Sequence, residues 1–265
     1  MATQLTNFVV DHAIRLMMVS KSTGEFMWSI NQISDPSLSV AVSDTRTITD
    51  ALGGTIMELE NGKSAELSGN SSLFDLHLYA AQMGREVEKA TSTDKISVPA
   101  FEEITYDGTT TSYTLANTPN SAVTRIYLEN GDGSLGTTFT AGTAASATEF
   151  VYDGETGSIT VPTGLTKDDV LFVMYDYDSS GASVVTADAI NFPKAGRAVM
   201  EVLGYDPCDE ETQIHAYIDF ANAKLSSEVD WDIASDGNHP FTIQAYQSYC
   251  DKEKKLFRII VPDEE

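Results

Sequence analysis

The sequence predicts a mainly β protein: a β-sandwich core with one flanking α-helix, interrupted by an inserted immunoglobulin-like β-sandwich module. Three observations carry this. Period-two alternation bounded by Gly, Pro, Asn and Asp recurs along most of the 265 residues, the pattern of half-buried strands. Only one stretch, 71–84, has helical spacing with end signals. Composition changes near Pro99, and residues 101–185 become rich in Thr, Gly, Asp and Ser, with short strands set between turns. The simplest organisation pairs residues 1–100 with 186–265 as one sandwich domain and treats 101–185 as an insertion.

Taken in order, apolar residues at 14–19 and 26–30 read as two strands joined by a turn at Lys21-Ser-Thr-Gly24. Leu38-Ser-Val-Ala-Val42 alternates, weak alternation follows at 46–50, and Gly53-Gly54 breaks the pattern. Residues 55–59 read as a strand. Asn61-Gly62 is the sharpest turn signal in the chain, because both residues tolerate positive φ, and 64–67 would return as the partner strand. Ser72-Leu-Phe-Asp75 resembles a capping box opening a helix; Leu73, Leu76, Ala80 and Met83 would share its buried face, and Gly84 sits where a C-terminal cap belongs.

In the middle segment, 112–115, 123–128, 149–152, 158–161 and 170–175 read as strands. Turns fall at Asn130-Gly-Asp-Gly133, Asp153-Gly154 and Asp168-Asp169, and Asp178-Ser-Ser-Gly181 marks the far boundary. The last third returns to longer strands at 198–203 and 213–220. A closing hairpin is expected, with strands at 241–245 and 256–261 ending at Pro262.

Sixteen basic against forty acidic residues give a net charge of −24. The acidity is spread: −5 over residues 1–100, −10 over 101–185 and −9 over 186–265. Such a chain lacks the Lys and Arg that displace counterions from phosphates, which argues against tight nucleic-acid binding and against attraction to anionic membranes. No stretch approaches the ~20 apolar residues of a membrane span. The start of the chain has no basic n-region, so folding in a cytoplasm is expected and the Asn70-Ser71-Ser72 sequon is discounted. Cys208 and Cys250 lack CxxC spacing, and usage favours free thiols over a disulfide.

Catalytic, cofactor and metal constellations are not found, and the chain is read as a non-enzyme with no cofactor. Histidines 12, 77, 215 and 239 are scattered without HExxH, HxH or Cys–His clustering, and His77 reads as a surface or packing residue. No GxSxG elbow, Walker loop or dinucleotide fingerprint occurs. Asp176-Tyr-Asp178-Ser-Ser180-Gly181 begins like a calcium loop, but its twelfth position is Ala187 where a bidentate Glu is required, and an acidic β-turn is the better reading. Glu102-Glu103 and Asp209-Glu210-Glu211 read as solvated loops, since nothing in sequence brings two carboxylates together as an acid/base pair.

Three stretches together resemble the major tail tube protein family of tailed bacteriophages. They are residues 54–84 (GTIMELENGKSAELSGNSSLFDLHLYAAQMG), the middle segment from Tyr113-Thr-Leu115 through Arg125-Ile-Tyr-Leu128 and Asn130-Gly-Asp-Gly133 to Val151-Tyr-Asp153, and residues 198–261 around Ala216-Tyr-Ile-Asp-Phe-Ala-Asn-Ala-Lys-Leu225. The resemblance rests on pattern and covers more than half the chain. It implies a tail-tube-type β-sandwich core whose sheets continue between six copies into a ring. Rings would stack into a virion tail tube that conducts DNA, with tape-measure, baseplate and terminator proteins as partners. An acidic lumen would keep DNA from adhering, acting within a Debye length of about 8 Å. Subunits of like charge repel, and the cluster Lys252, Lys254, Lys255 and Arg258 reads either as the counterweight, meeting acidic groups of an adjacent subunit or ring, or as a solvated turn in the hairpin. The alternatives are a capsid decoration or head-fibre protein, and a carbohydrate-binding or adhesin module using Tyr106, Tyr113, Tyr127, Tyr152, Tyr175 and Tyr177 for stacking.

Overall fold

The computed structural model describes residues 7–234, 237–247 and 252–262 and places seventeen strands and one helix among them. The chain is mainly β, and its contacts divide it into two compact units. One comprises the residues up to Val87 with those from Val185 onward; the other is Glu88–Val184. The first unit opens with β1 (Val9–Ser20), β2 (Phe26–Ile30), β3 (Ile33–Thr49), β4 (Thr55–Ser71) and α1 (Leu76–Gln82). The second holds β5 (Glu88–Lys89), β6 (Ile96–Thr105), β7 (Ser112–Thr114), β8 (Arg125–Glu129), β9 (Leu135–Ala141), β10 (Glu149–Asp153), β11 (Ser158–Thr160), β12 (Val170–Ser179) and β13 (Ser183–Val184). The chain then returns to the first unit with β14 (Ala195–Asp206), β15 (Asp209–Leu225), β16 (His239–Ala245) and β17 (Arg258–Ile260).

The first unit is one antiparallel sheet in the order β2-β1-β14-β15-β16-β4-β3, with β17 added to β15. Its end strands β2 and β3 are separated in sequence by residues 31–32 alone, and β1 lies against β3, so the sheet curls round its own core. That core gathers one face of the sheet: Leu16 and Met18 from β1, Trp28 from β2, Leu67 from β4, Met200 from β14, Phe220 from β15, Phe241 and Ile243 from β16. Each large apolar side chain fully removed from water here contributes about 1.5–3 kcal/mol. Helix α1 packs against β2 and sends Leu78 into the same core.

Two local expectations are corrected here. Asn61-Gly62 does not turn the chain; β4 runs straight through it, pairing with β3 from Thr49↔Thr55 to Ile33↔Ser71. The turn lies at Asp50–Gly54, where the Asp50 carboxylate accepts the N–H groups of Leu52 (2.9 Å) and Gly54 (2.7 Å). The positive φ of 75° at Gly62 is instead absorbed within the strand. The helix starts three residues later than the capping-box reading. Its N-cap is Asp75, whose Oδ1 accepts the N–H groups of His77 (2.7 Å) and Leu78 (3.1 Å). Ser71 is engaged with the backbone of Leu73, and Leu73 is exposed. The fully buried helix residues are therefore Leu78, Ala80 and Gln82, with Leu76 and Met83 half-buried.

Gly84 does end the helix, with φ 69°. A Cβ at this position would meet the carbonyl group of Phe192 at 2.4 Å. Gly84→Ala is therefore expected to lower stability by about 2 kcal/mol or more, combining left-handed strain with a backbone clash. Equilibrium urea unfolding of the two proteins measures this.

The closing hairpin is also corrected. β16 and β17 do not pair with each other; both lie antiparallel along the same edge of β15, β16 at Ala223–Leu225 and β17 at Tyr217–Asp219. The seventeen-residue β15 is long enough to seat both, and β16 spends its other edge on β4.

In the second unit the order is β6-β12-β8-β9-β10-β11-β7, and β5 pairs with β13. β6 is continuous from Ile96 to Thr105, and β12 extends past the expected 170–175 to Ser179. Ile104, Ile126, Phe139, Phe150, Ile159, Leu171 and Val173 meet in a separate core. β9 has no counterpart in the sequence reading, because Phe139 is the one buried side chain in its Thr- and Gly-rich run.

Candidate assembly surfaces

The β3–β4 hairpin carries its core face past its own core. At its base Leu38 opposes Leu67 and Val40 opposes Ala65, with Leu67 and Ala65 buried. The same face continues outward through Val42, Ile48, Met57 and Leu59, all exposed and interleaved with Lys63, Asp44, Asn61 and Arg46, with Val40 already 53% open. Strand alternation dictates this: even-numbered residues of β3 and odd-numbered residues of β4 share one side. The opposite side carries Ser43, Thr45, Thr47, Glu58 and Glu60, with the exposed Ile56 near its tip. Residues 40–49 and their partners thus form an amphipathic arm with a reach of roughly 30 Å. β3 ends the sheet path, and β16 covers β4 only at residues 65–71, so the arm leaves both edges open. Isolated proteins usually blunt such edges with lysine, proline or bulges. Over its outer part this arm carries Arg46, Lys63 and one pairing irregularity between Ile48 and Thr49.

A second surface is held by a buried carboxylate. Asp219 on β15 is 2% exposed. Its Oδ1 accepts the Arg197 Nε hydrogen at 2.8 Å, and its Oδ2 accepts a hydrogen from Arg258 Nη2. Burial pushes this carboxyl up, but the two guanidinium hydrogen bonds outweigh it and hold it below its ordinary 3.8. Arg258 is thereby engaged inside its own chain, with about half of its side chain still exposed. Lys255 pairs with Glu253, while Lys252 and Lys254 are exposed.

Residues 8–257 match the model of the YomU/Tube protein family, nearly the whole chain. The chain belongs to that family. This membership points to a phage tube structural protein, a class that is generally non-enzymatic and a component of the virion tail. No curated protein matches the sequence.

The remaining residues singled out in this tube-family chain are dispersed. His12 pairs with Asp11 (2.9 Å) and His215 with Glu201 (3.0 Å), while His77 is exposed on α1. Asp176 and Asp178 lie within strand β12 and not in a loop, with Asp178 accepting a hydrogen bond from Asn120. Glu102 accepts the Tyr175 hydroxyl (2.9 Å) and the Ala116 N–H (3.1 Å). Asp209 takes up Thr212 in a local turn. Among the described residues no three His, Cys, Asp or Glu side chains gather as a metal site, and no helix is long and apolar enough to cross a membrane. Cys208 is a free, exposed thiol; Cys250 lies outside the described residues.

His239 was not distinguished by its sequence neighbours, yet it is 1% exposed and organises the helix N-terminus. Its Nδ1 accepts the Asp75 N–H (3.4 Å), so Nε2 donates to Gln82 Oε1 (2.8 Å), and Gln82 Nε2 donates to the Pro240 carbonyl (2.9 Å). The Phe74 ring stacks on both Trp231 (4.2 Å) and His239 (5.2 Å), which also face each other at 6.2 Å. Burial pulls the imidazole below its ordinary 6.5, partly offset by the Asp75 carboxylate. The unfolded chain therefore binds a proton that the folded one refuses. Stability from this group is complete above about pH 6.5 and is lost as pH falls toward the lower folded value. Thermal melts from about pH 7.5 down to 5 should show a decline that is flattened in His239→Gln.

Proposed function

We propose that this chain is the subunit of a phage tail tube, joining through its β-sheets into rings of six that stack round a channel for DNA. The observation that supports this most is the β3–β4 arm, with an unpartnered apolar face and two open edges. A second copy of the same sheet satisfies both needs at once, supplying backbone partners along an edge and apolar cover for Val42, Ile48, Met57 and Leu59. The net charge of −24 fits a wall that DNA passes without adhering. It also requires the subunit contacts to be apolar or backbone-mediated, since acidic faces brought together would repel.

Negative-stain electron microscopy of the purified chain, before and after concentration, tests the reading. Stacked rings or open tubes with a stained channel are the expected result. Closed shells or trimeric spikes would overturn it in favour of a capsid decoration or fibre protein.

A further inference from the structure

We propose that the unit Glu88–Val184 carries a binding site for a neutral saccharide, in the cleft beside Arg125 and Asp176 on the outer face of β12 and β8. The cleft measures about 290 Å³ and is lined by Ser121, Thr124, Arg125, Tyr127, Met174 and Asp176, with Ala122, Val123 and Tyr175 between them. That volume is at the small end of ligand sites and suits one or two sugar rings.

Strand alternation builds the site. Leu171, Val173 and Tyr175 turn into the core, so Phe172, Met174 and Asp176 face out. Met174 stands opposite Phe101 of β6, and Phe172 stands opposite Tyr127 of β8. The Phe101 and Phe172 rings stack at 5.8 Å. Phe101 is 65% exposed and Met174 54%. Large apolar side chains that remain open on one sheet face, in a row leading to a cleft, form a platform on which a flat ligand can lie.

The polar groups at the end of this platform are unspent. Among the described residues, the Ser121 and Thr124 hydroxyls, the Arg125 guanidinium and the Asp176 carboxylate form no side-chain hydrogen bond or ion pair within the chain. The cleft thus offers hydroxyl groups that donate and accept, one fixed donor fork and one acceptor pair. A pyranose has the matching chemistry: a C–H face that lies on an aromatic ring, and a rim of hydroxyls that donate and accept at once.

Charge selects among sugars. Residues 88–184 carry 4 basic and 14 acidic side chains, a net of −10. An anionic glycan or a polyphosphate would be repelled on approach, with Arg125 the sole cation in the cleft and Asp176 beside it. A neutral oligosaccharide pays no such penalty. Of the six tyrosines considered for stacking, Tyr127 and Tyr175 line the cleft, and of these Tyr127 is the more open. Tyr175 is buried in the core, and Tyr106, Tyr113, Tyr152 and Tyr177 pack against it.

The test is an NMR titration of the full, isotopically labelled chain with chitotetraose, cellotetraose and maltotetraose, and with a polygalacturonate oligomer as the anionic probe. Both tryptophans, Trp28 and Trp231, lie outside this unit, so fluorescence would miss the event. Shifts clustered at residues 121–127 and 172–176 are expected with at least one neutral tetrasaccharide. Phe101→Ser and Arg125→Ala are each expected to weaken them tenfold or more while leaving the melting temperature unchanged. No shifts with any neutral probe, stronger shifts with the anionic probe, or unaltered binding in both variants would overturn the proposal. So would concentration-dependent self-association abolished by Phe101→Ser, which would make this face a contact between copies. Ring or tube formation is read separately, so failure here leaves the assembly reading intact.

Discussion

Replacing Ile48 and Met57 together by lysine is expected to abolish self-assembly while leaving the fold of the single chain intact. The two residues are a cross-strand pair on the outer half of the arm, 37% and 52% exposed. Lysines there remain hydrated in the isolated chain, so stability should change by less than about 0.5 kcal/mol. In an assembled sheet the same lysines would enter an apolar contact, where each unpaired charge costs several kcal/mol. The sign of the net charge makes the experiment decisive. Adding two positive charges to a chain at −24 reduces overall repulsion, so a general charge effect would favour assembly. Loss of assembly therefore reports the local apolar contact. Thr45→Lys with Thr47→Lys makes the same charge change on the opposite face of the arm and should leave assembly intact. Sedimentation velocity together with electron microscopy reads both variants; normal assembly of the Ile48/Met57 double variant would remove the arm's apolar face from the interface.

The arm also shows where sequence reading stopped. Its alternation is visible in fragments at 38–42, 46–50, 55–59 and 64–67, and apart from Asp50, which opens the turn, all of these residues are strand in the structure. What joined the wrong pieces was Asn61-Gly62. A glycine after asparagine predicts a chain reversal, whereas in the fold Gly62 keeps its positive φ inside a strand whose partner register on both sides is unbroken. Local turn chemistry competes with long-range pairing, and here seventeen-residue strands held by many ladder bonds prevail. The helix was placed correctly to within a few residues because Gly84 and the apolar spacing are local, while its N-cap depended on whether Ser72 or Asp75 reached the free N–H groups.

Longer-range features left less trace. The edge sharing of β16 and β17 depends on β15 being longer than either neighbour, which no local pattern in 241–261 encodes. His239 reads as an ordinary residue before Pro240; its burial follows from Phe74, Gln82 and Trp231, which lie far from it in sequence or across a coil. The platform of the second unit was legible only in part. The strands 123–128 and 170–175 were recognised, but which of their alternating residues face outward is set by the core that Leu171 and Val173 join. Tyrosines were therefore favoured over Phe101 and Phe172, and most of those tyrosines turned out to be packing residues.

Asp219→Ala is expected to lower stability by about 2 kcal/mol and to release β17 from β15. The carboxylate is the shared acceptor for Arg197 and Arg258, so its removal leaves two guanidiniums facing one another without the anion between them. Both arginines are about half-exposed, which lets water recover part of the loss and sets the estimate near the middle of the range for a broken charged hydrogen-bond network. β17 itself offers little else, since Arg258, Ile259 and Ile260 are all exposed and three residue pairs join it to β15; its other anchor is the neighbouring Phe257, whose ring packs on the core 5.6 Å from Phe220. Hydrogen exchange at Tyr217–Asp219 should therefore accelerate more than at Ala223–Leu225, which β16 continues to cover. Arg197→Ala keeps the Arg258 contact and should leave that local exchange nearly unchanged, separating strand release from general destabilisation. Acid gives an independent reading. The folded carboxyl titrates below its unfolded value near 3.8, so its contribution is complete above about pH 4 and is lost as pH falls through the lower folded value. That acid limb should be shallower in Asp219→Asn. If exchange at Tyr217–Asp219 is the same in Asp219→Ala as in the parent chain, β17 is held by its backbone ladder alone. The two arginines would then serve only to keep a buried carboxylate neutralised on the outer face of β15.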